Sequence, residues 1–587
     1  MSYTKILSFF SLMFFLILQG CWDREDPNKK VLNIPAIAKV KSFDPVDTED
    51  IYSWQAISTV YESLFEYHYL KRPYELVPLL AESLPEISSD GKIYTIKLRK
   101  GVFFHHNKCF PEGKGREVTA FDVVYSLKRM ADPKLASKRW WMLENKIVGL
   151  DEWRKEQTKA IKTNYNVVVE GIQAINPHTI QIKLTNVNYQ FIHTLANLPG
   201  VVVAKEAVEF YGKDFLNHPV GTGPFVLDQY DQSNKIVYKR NPNYREVLFP
   251  EDSDLGQNLT GKGKKIPFVE EIIQTSLEES QPRWLNFVKG KFDLSSIPKD
   301  SFDSVASLEG NLLPEFQKKG VALYKSSILD VTFYTFNLEN TVLKNLKLRQ
   351  AMAMAFDRLK SGEMFYNNRV ILAQGPIPPG LEGYDLEYRS PYLASEKQVN
   401  LEEAKKLLAE AGYPEGKGLP PITLDVTSST EARQGGEFFK NQMALLGIKI
   451  EVISNPWGEL VEKVNKGTGM IFAKAWVADY PDAENFLQLF YGPNKAPGPN
   501  DSRYDNPVFN KMFQEALLLP PGEERALKYK KLNKLVAEEV PAIFVHHRLG
   551  YTVAHGWLEN LVPTDMAGFL KYLDINIEKR KELKSKL

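Results

Sequence analysis

From Val31 to the last strand-like run, PAIFVHH, short β-type segments alternate with amphipathic helical ones, without internal repeats or long low-complexity stretches. That alternation restricts the chain to mixed α/β lobes. Tyr94, Ile96 and Leu98 alternate with polar residues after the turn Ser89-Asp90-Gly91, as a half-buried strand does. Phe225 with Leu227, and Ile236 with Tyr238, read as two paired strands, and Thr119 caps a helix that begins near Ala120. Asn400 and Glu403 form a capping pattern ahead of a helix with Leu401, Ala404, Leu408 and Ala411 on one face, ended by Gly412. Another helix runs from Glu431 to Leu446, stops at Gly447 and gives way to the strand IKIEVI. At 587 residues the chain exceeds what one core supports, so two or three lobes are expected.

The N-terminus has Lys5 as its only charge, then an apolar run from Ile6 to Leu18, then Gln19, Gly20 and Cys21. The run is short for a bilayer span and has the size of a signal h-region. A small residue before a cysteine at the end of such a run resembles a bacterial lipobox, in which Cys21 is lipidated and becomes the mature N-terminus. Gln19 departs from the small residue usual there, and an ordinary secretory signal or an anchor helix is the alternative. Residues 1–20 are read as a signal peptide and 21–30 as a polar tether. Loss of 1–20 removes Lys5 and no acid, leaving 73 basic against 73 acidic residues and a net charge of zero. Nothing in that balance asks for nucleic acid. With lipid on Cys21, the one other cysteine, Cys109, has no disulfide partner and is read as structural.

Several chemistries lack their motifs. Gly221-Thr222-Gly223-Pro224 is followed by a β run, where a phosphate loop needs a helix N-terminus. His105-His106 and His546-His547 suggest a metal, but neighbours on a strand point to opposite faces, and no HExxH or CxxC occurs, so no metal and no cofactor is expected. No GxSxG elbow is present, and the carboxylate pairs Asp479/Asp482 and Glu278/Glu279 have no supporting arrangement, so no catalytic residues are assigned. Asp482 is placed to cap a helix that starts near Ala483.

The stretch AWVADYPDAENFLQLFYGPN, Ala475 to Asn494, sets Trp476 three residues before Asp479 in apolar surroundings. A carboxylate there is costly unless it meets a cation, so Asp479 is either a receiver of an external cation or a turn residue before Pro481. This stretch resembles the signature of the bacterial family 5 extracellular solute-binding proteins. So does the ordered series formed by GVFFHHNKCFPEGKGREVTAFDVVYSLKRM, PVGTGPF with RNPNY, SLEESQPRWLNFVKGKFDL and LKNLKLRQAMAMAFDR. The resemblance runs from about Val31 to the final strand.

It implies an α/β, two-lobed periplasmic-binding-protein-like fold (type II, cluster C) with an inserted subdomain. Lobe I is expected at 31–60, 185–275 and 541–587, the insert at 61–184 and lobe II at 276–540. It further implies a monomeric, lipid-anchored receptor of an ABC importer at the periplasm or outer face of the membrane, closing over oligopeptides or dipeptides and delivering them to a permease. The acid matching Asp479 takes the peptide α-ammonium in that family, Trp476 and Tyr480 form one wall of the cleft, and Tyr52 and Trp54 the facing wall. Arg349 is read as an intramolecular anchor and Arg433 as a surface residue. Alternatives are a same-fold receptor for a nickel chelate, opine or glycoside, an exported cell-wall peptide hydrolase, and an adhesin or chaperone.

Overall fold

The computed structural model describes residues 26, 28–48, 50–231, 234–255, 259–307, 309–393 and 400–587. Cys21 and the signal segment lie outside the described residues, among which no helix is long and apolar enough to cross a membrane.

Strands β1 (Val31–Ala36), β2 (Phe225–Tyr230), β3 (Lys235–Arg240) and β4 (Glu271–Ser276) form one sheet in the order β1-β4-β3-β2. Its apolar face joins a continuous core that also contains Tyr94, Ile96 and Leu98 of the inserted region, together with Trp557, Leu573 and Ile575 from the end of the chain. The insert carries its own four-stranded sheet, in which Ile93–Lys97 pairs with Thr179–Lys183. It also carries the helix Ala120–Ala131, where Asp122 accepts from the Thr119 amide at 2.8 Å and hydroxyl at 3.0 Å.

The glycines of PVGTGPF are required by close packing. A Cβ on Gly221 would come within 2.1 Å of the Val60 carbonyl oxygen. Beside them Glu62, its side chain 2% exposed, takes two guanidinium nitrogens of Arg245 at 2.7 and 2.9 Å, the Thr222 hydroxyl at 2.9 Å and the Tyr244 hydroxyl at 2.9 Å. The PVGTGPF and RNPNY segments thus meet on one buried acid.

A second core, from Leu329 to Val545, surrounds β7 (Asp330–Phe336), β8 (Ile422–Thr427), β9 (Ile450–Asn455) and β10 (Ile471–Val477). Arg349 is the expected anchor: its guanidinium donates to the carbonyls of Leu343, Lys344, Glu539 and Val540 at 2.8–2.9 Å. Asn400 caps Leu401–Glu410 through the Glu403 amide at 3.1 Å.

Between the cores lie β5 (Leu294–Ser296) and β6 (Val321–Ser327), numbered with the rest in chain order, and the 14-residue strand β11 (Ala542–His555) ties everything together. Residues 542–546 of β11 pair with β7, whereas 549–555 pair with β6 and 552–554 with β5. The sheets therefore change over between Ser327 and Asp330 and within β11. The reason is length: β11 is long enough to serve two sheets, and the segment 277–327 packs against its second half through Phe287, Phe302 and Val553.

Candidate functional site

β10 ends at Val477, and the chain turns through Ala478–Ala483 into the helix Glu484–Leu487. Asn485 organises this turn. Its fully buried Oδ1 accepts both from the Trp476 indole N–H and from the Asp479 amide, each at 2.9 Å, which fixes the two residues to one another. The rule that a buried carboxylate needs a cation holds for Asp479, but the cation belongs to the chain. Arg139, on the inserted region, places Nη1 2.7 Å from Asp479 Oδ1, with side chains 6% and 12% exposed. Asn197 adds a bond from Nδ2 to the Asp479 carbonyl at 2.8 Å.

Tyr480 departs from its expected role as a cleft wall. It is buried, donates its hydroxyl to Glu484 and stacks on His193 at 5.8 Å, so it sits inside the contact between the lobes. His193 Nδ1 shares a 2.8 Å hydrogen bond with the Tyr67 hydroxyl, and burial lowers its pKa to about 4. Burial pushes the Glu484 carboxyl up to about 7. Asp482 stands one residue before the N-cap, Ala483; its Oδ1 accepts from the Glu484 amide at 2.9 Å, while Oδ2 pairs with Arg525 at 3.1 Å.

A cavity of about 1200 Å³ opens beside the Asp479 turn, walled by Tyr52 and Trp141 on one side and by Tyr334, Trp476 and Arg548 on the other. Tyr52 and Trp476 thus face a common space. Trp54 instead borders a small cavity of about 40 Å³ with Glu62, Asn197 and Lys571. Both Tyr52 and Trp54 lie on the helix Ile51–Val60, where residues two apart point roughly 200° from one another, so they cannot share a wall. Arg139 and Asp479 border both cavities, and their ion pair lies between them.

The main chain of β10 offers the cavity an unpaired edge. β8 pairs with β10 only at Ile471 and Phe472, whereas β7 pairs along its whole length. The Ala478 amide points to Leu329 on the β7 side. Alternation then turns the N–H and C=O groups of Ala473, Ala475 and Val477 the other way, where no strand pairs with them among the described residues. All three line the large cavity. Arg548 is held there by Nε to Asp330 and by its amide to Asp330 Oδ1 at 2.8 Å. Arg433 is exposed and outside the cavity lining.

The histidines of both pairs bond to main chain. His546 Nε2 and His547 Nδ1 donate to the carbonyls of Arg358 and Asp330 at 2.7 and 2.6 Å, and His105 Nε2 lies 2.9 Å from the Gly223 oxygen. His106 Nδ1 accepts from the Gly115 amide at 3.2 Å. Among the described residues no group of three His, Cys, Asp or Glu side chains could hold a metal.

The profile of the bacterial extracellular solute-binding proteins, family 5 Middle, matches residues 75–498. This chain belongs to that family. Among relatives, the family 5 chain is 28% identical over 504 residues to heme-binding protein A of Haemophilus influenzae, covering 84% of this chain and 82% of that one. It is 25% identical over 486 residues to the dipeptide-binding protein of Escherichia coli, covering 81% of each. Among solved structures, the ABC transporter-associated periplasmic binding protein DppA of Helicobacter pylori, in complex with the peptide STSA, superposes with a TM-score of 0.75 at 22% identity, over 93% of this chain and 98% of that one. The family 5 chain has the two-lobed α/β fold of periplasmic binding proteins.

Sequence reasoning about this family 5 protein missed Arg139, Asn197 and Asn485. Asn485 carried a usable signal, since an asparagine six residues beyond Asp479 inside an apolar helix has to spend its amide on something. Arg139 carried none, lying 340 residues from its partner.

Proposed function

We propose that the chain is the substrate-binding lipoprotein of an ABC importer, capturing oligopeptides or dipeptides between its lobes and delivering them to a membrane permease. The observation that carries this reading is the unpaired edge of β10 along a cavity between the two cores. An extended peptide adds there as a strand, through main-chain hydrogen bonds that ignore its side chains, while water fills the variable spaces. Tyr52 and Trp476 flank the bound chain, Asp479 lies at its end, and Trp54 and Tyr480 support the walls from behind. A ligand that touches both lobes favours the closed form. Lipid on Cys21 keeps the receptor at the membrane as a monomer, and the chain acts without catalysis. Palmitate labelling that persists in Cys21→Ala would remove the anchor from this reading.

The test is native mass spectrometry of residues 22–587, weighing whatever ligand co-purifies. Masses that fragment into short peptides support the reading. One discrete non-peptide mass overturns it in favour of a same-fold receptor for another solute, an outcome given substance by the relative named for heme. A sharper variant is Ala475→Pro, which deletes an N–H on the unpaired edge and leaves the β7 ladder intact. It is expected to weaken peptide binding about tenfold, the worth of roughly one hydrogen bond; unchanged affinity by calorimetry refutes strand addition.

A further inference from the structure

We infer that Arg139 sets the specificity of this cavity: by holding Asp479 it frees binding from any need for a ligand ammonium, so the site takes peptides with blocked or uncharged amino ends as readily as free ones. The inference rests on the peptide reading above.

Three observations support it. Arg139 meets Asp479 at 2.7 Å with both side chains almost wholly covered. An ammonium that approaches therefore encounters a neutral pair, with Arg139 repelling it, where a lone carboxylate would attract it strongly. Both partners are also fixed. The Arg139 amide donates to Ser137 Oγ at 3.2 Å, and the next residue, Trp140, is buried beneath the Arg154 guanidinium, 4.7 Å from its ring. Asp479 is tied through its amide to Asn485 and through its carbonyl to Asn197. Displacing Arg139 would break a covered ion pair of 2.7 Å, which is unfavourable. The remaining carboxylate oxygen, Oδ2, has Asn485 Nδ2 at 3.4 Å beside it, so the acid has a neutral neighbour on that side as well. Finally, the pair borders the large cavity at the end of β10, where the terminus of a strand-added peptide falls, and the β10 edge itself demands no charge of its ligand.

The test mixes equal amounts of a tri- to pentapeptide pool with free amino ends and the same pool N-acetylated, then counts complexes of each class on residues 22–587 by native mass spectrometry. Wild type is expected to capture the two classes within about threefold of one another. Arg139→Met, which keeps the bulk and bares Asp479, is expected to favour the free-amino class by more than about tenfold. Melting by circular dichroism checks that this variant folds. Arg139→Met combined with Asp479→Asn, which removes both charges and keeps the shape, serves as the second variant and should return the wild-type ratio. A wild-type preference for free amino ends beyond about tenfold, an unchanged ratio in folded Arg139→Met, or a free-amino preference that persists in the double variant each overturns the inference. Absence of complexes with either class in all three proteins overturns the peptide reading itself, and this inference with it.

Discussion

Two buried acid–arginine pairs invite comparison. Glu62 and Arg245 lie in one lobe, surrounded by the PVGTGPF and RNPNY segments that fold together with them. Asp479 and Arg139 are as well covered, yet one belongs to the second core and the other to the inserted region packed with the first. The chemistry is the same and the span differs. A pair within a core is made once, when the lobe folds, and its loss leaves a charge with nowhere to go. A pair across the boundary is made when lobes meet, so its loss has an escape: the lobes part and water solvates what remains.

The first way to break this contrast is Glu62→Ala. It should cost the fold about 3–5 kcal/mol, seen as a large drop in denaturation midpoint, and a smaller loss than that of an interlobe variant would erase the distinction. Second comes the pH response of the interlobe contact. Glu484 faces Lys146, Tyr480, Asp482 and Arg525, and its carboxyl is pushed from 4.5 up to about 7, chiefly by burial. A raised acid favours the packed state fully below its unfolded pKa and loses that contribution as pH rises through about 7. Wild type should therefore lose about 3 kcal/mol relative to Glu484→Gln between pH 4.5 and 8; parallel pH–stability curves for the two proteins would exclude Glu484 from the contact. Buried histidines such as His193, lowered to about 4, act in both proteins and cancel in the difference. The third test sharpens the contrast directly. Asp479→Ala should cost only about 1–2 kcal/mol while enlarging the radius of gyration in small-angle scattering, because a bond that holds the lobes together is lost and they separate. An unchanged radius with a loss as large as that of Glu62→Ala would make both pairs equally structural. Arg433→Ala, on an exposed helix flank, should change stability by less than about 0.5 kcal/mol.

What the sequence disclosed follows the same division. Local signals carried: the Thr119 and Asn400 caps, the alternation at Tyr94 to Leu98 and the hairpin from Phe225 to Tyr238 are contacts or periodicities that a short window contains. Trp476 beside Asp479 was legible as a pair because ten residues hold both and the Asn485 that joins them. Failures came where a second segment decides the outcome. Asp479 needed a cation, but which one depended on a residue in another lobe. The resemblance sets Tyr480 on a wall, whereas the strand ends at Val477 and the turn that follows buries its ring. The resemblance sets Tyr52 and Trp54 on one wall, whereas the helix beneath them, with its 100° step, turns them to different cavities.

The double allegiance of β11 has a mechanical consequence. A strand bonded to one sheet through Ala542–His546, to Val370–Leu372 through His546–Arg548 and to another sheet through Leu549–His555 is a ribbon held along its whole length. Relative rotation of the lobes cannot be taken up there by a slack tether; it must appear as torsion along hydrogen-bonded backbone, which resists in proportion to angle and recoils when released. The molecule then resembles a pair of jaws on a torsion spring, in which the resting gape is set by the relaxed twist of one strand and every closing ligand works against it.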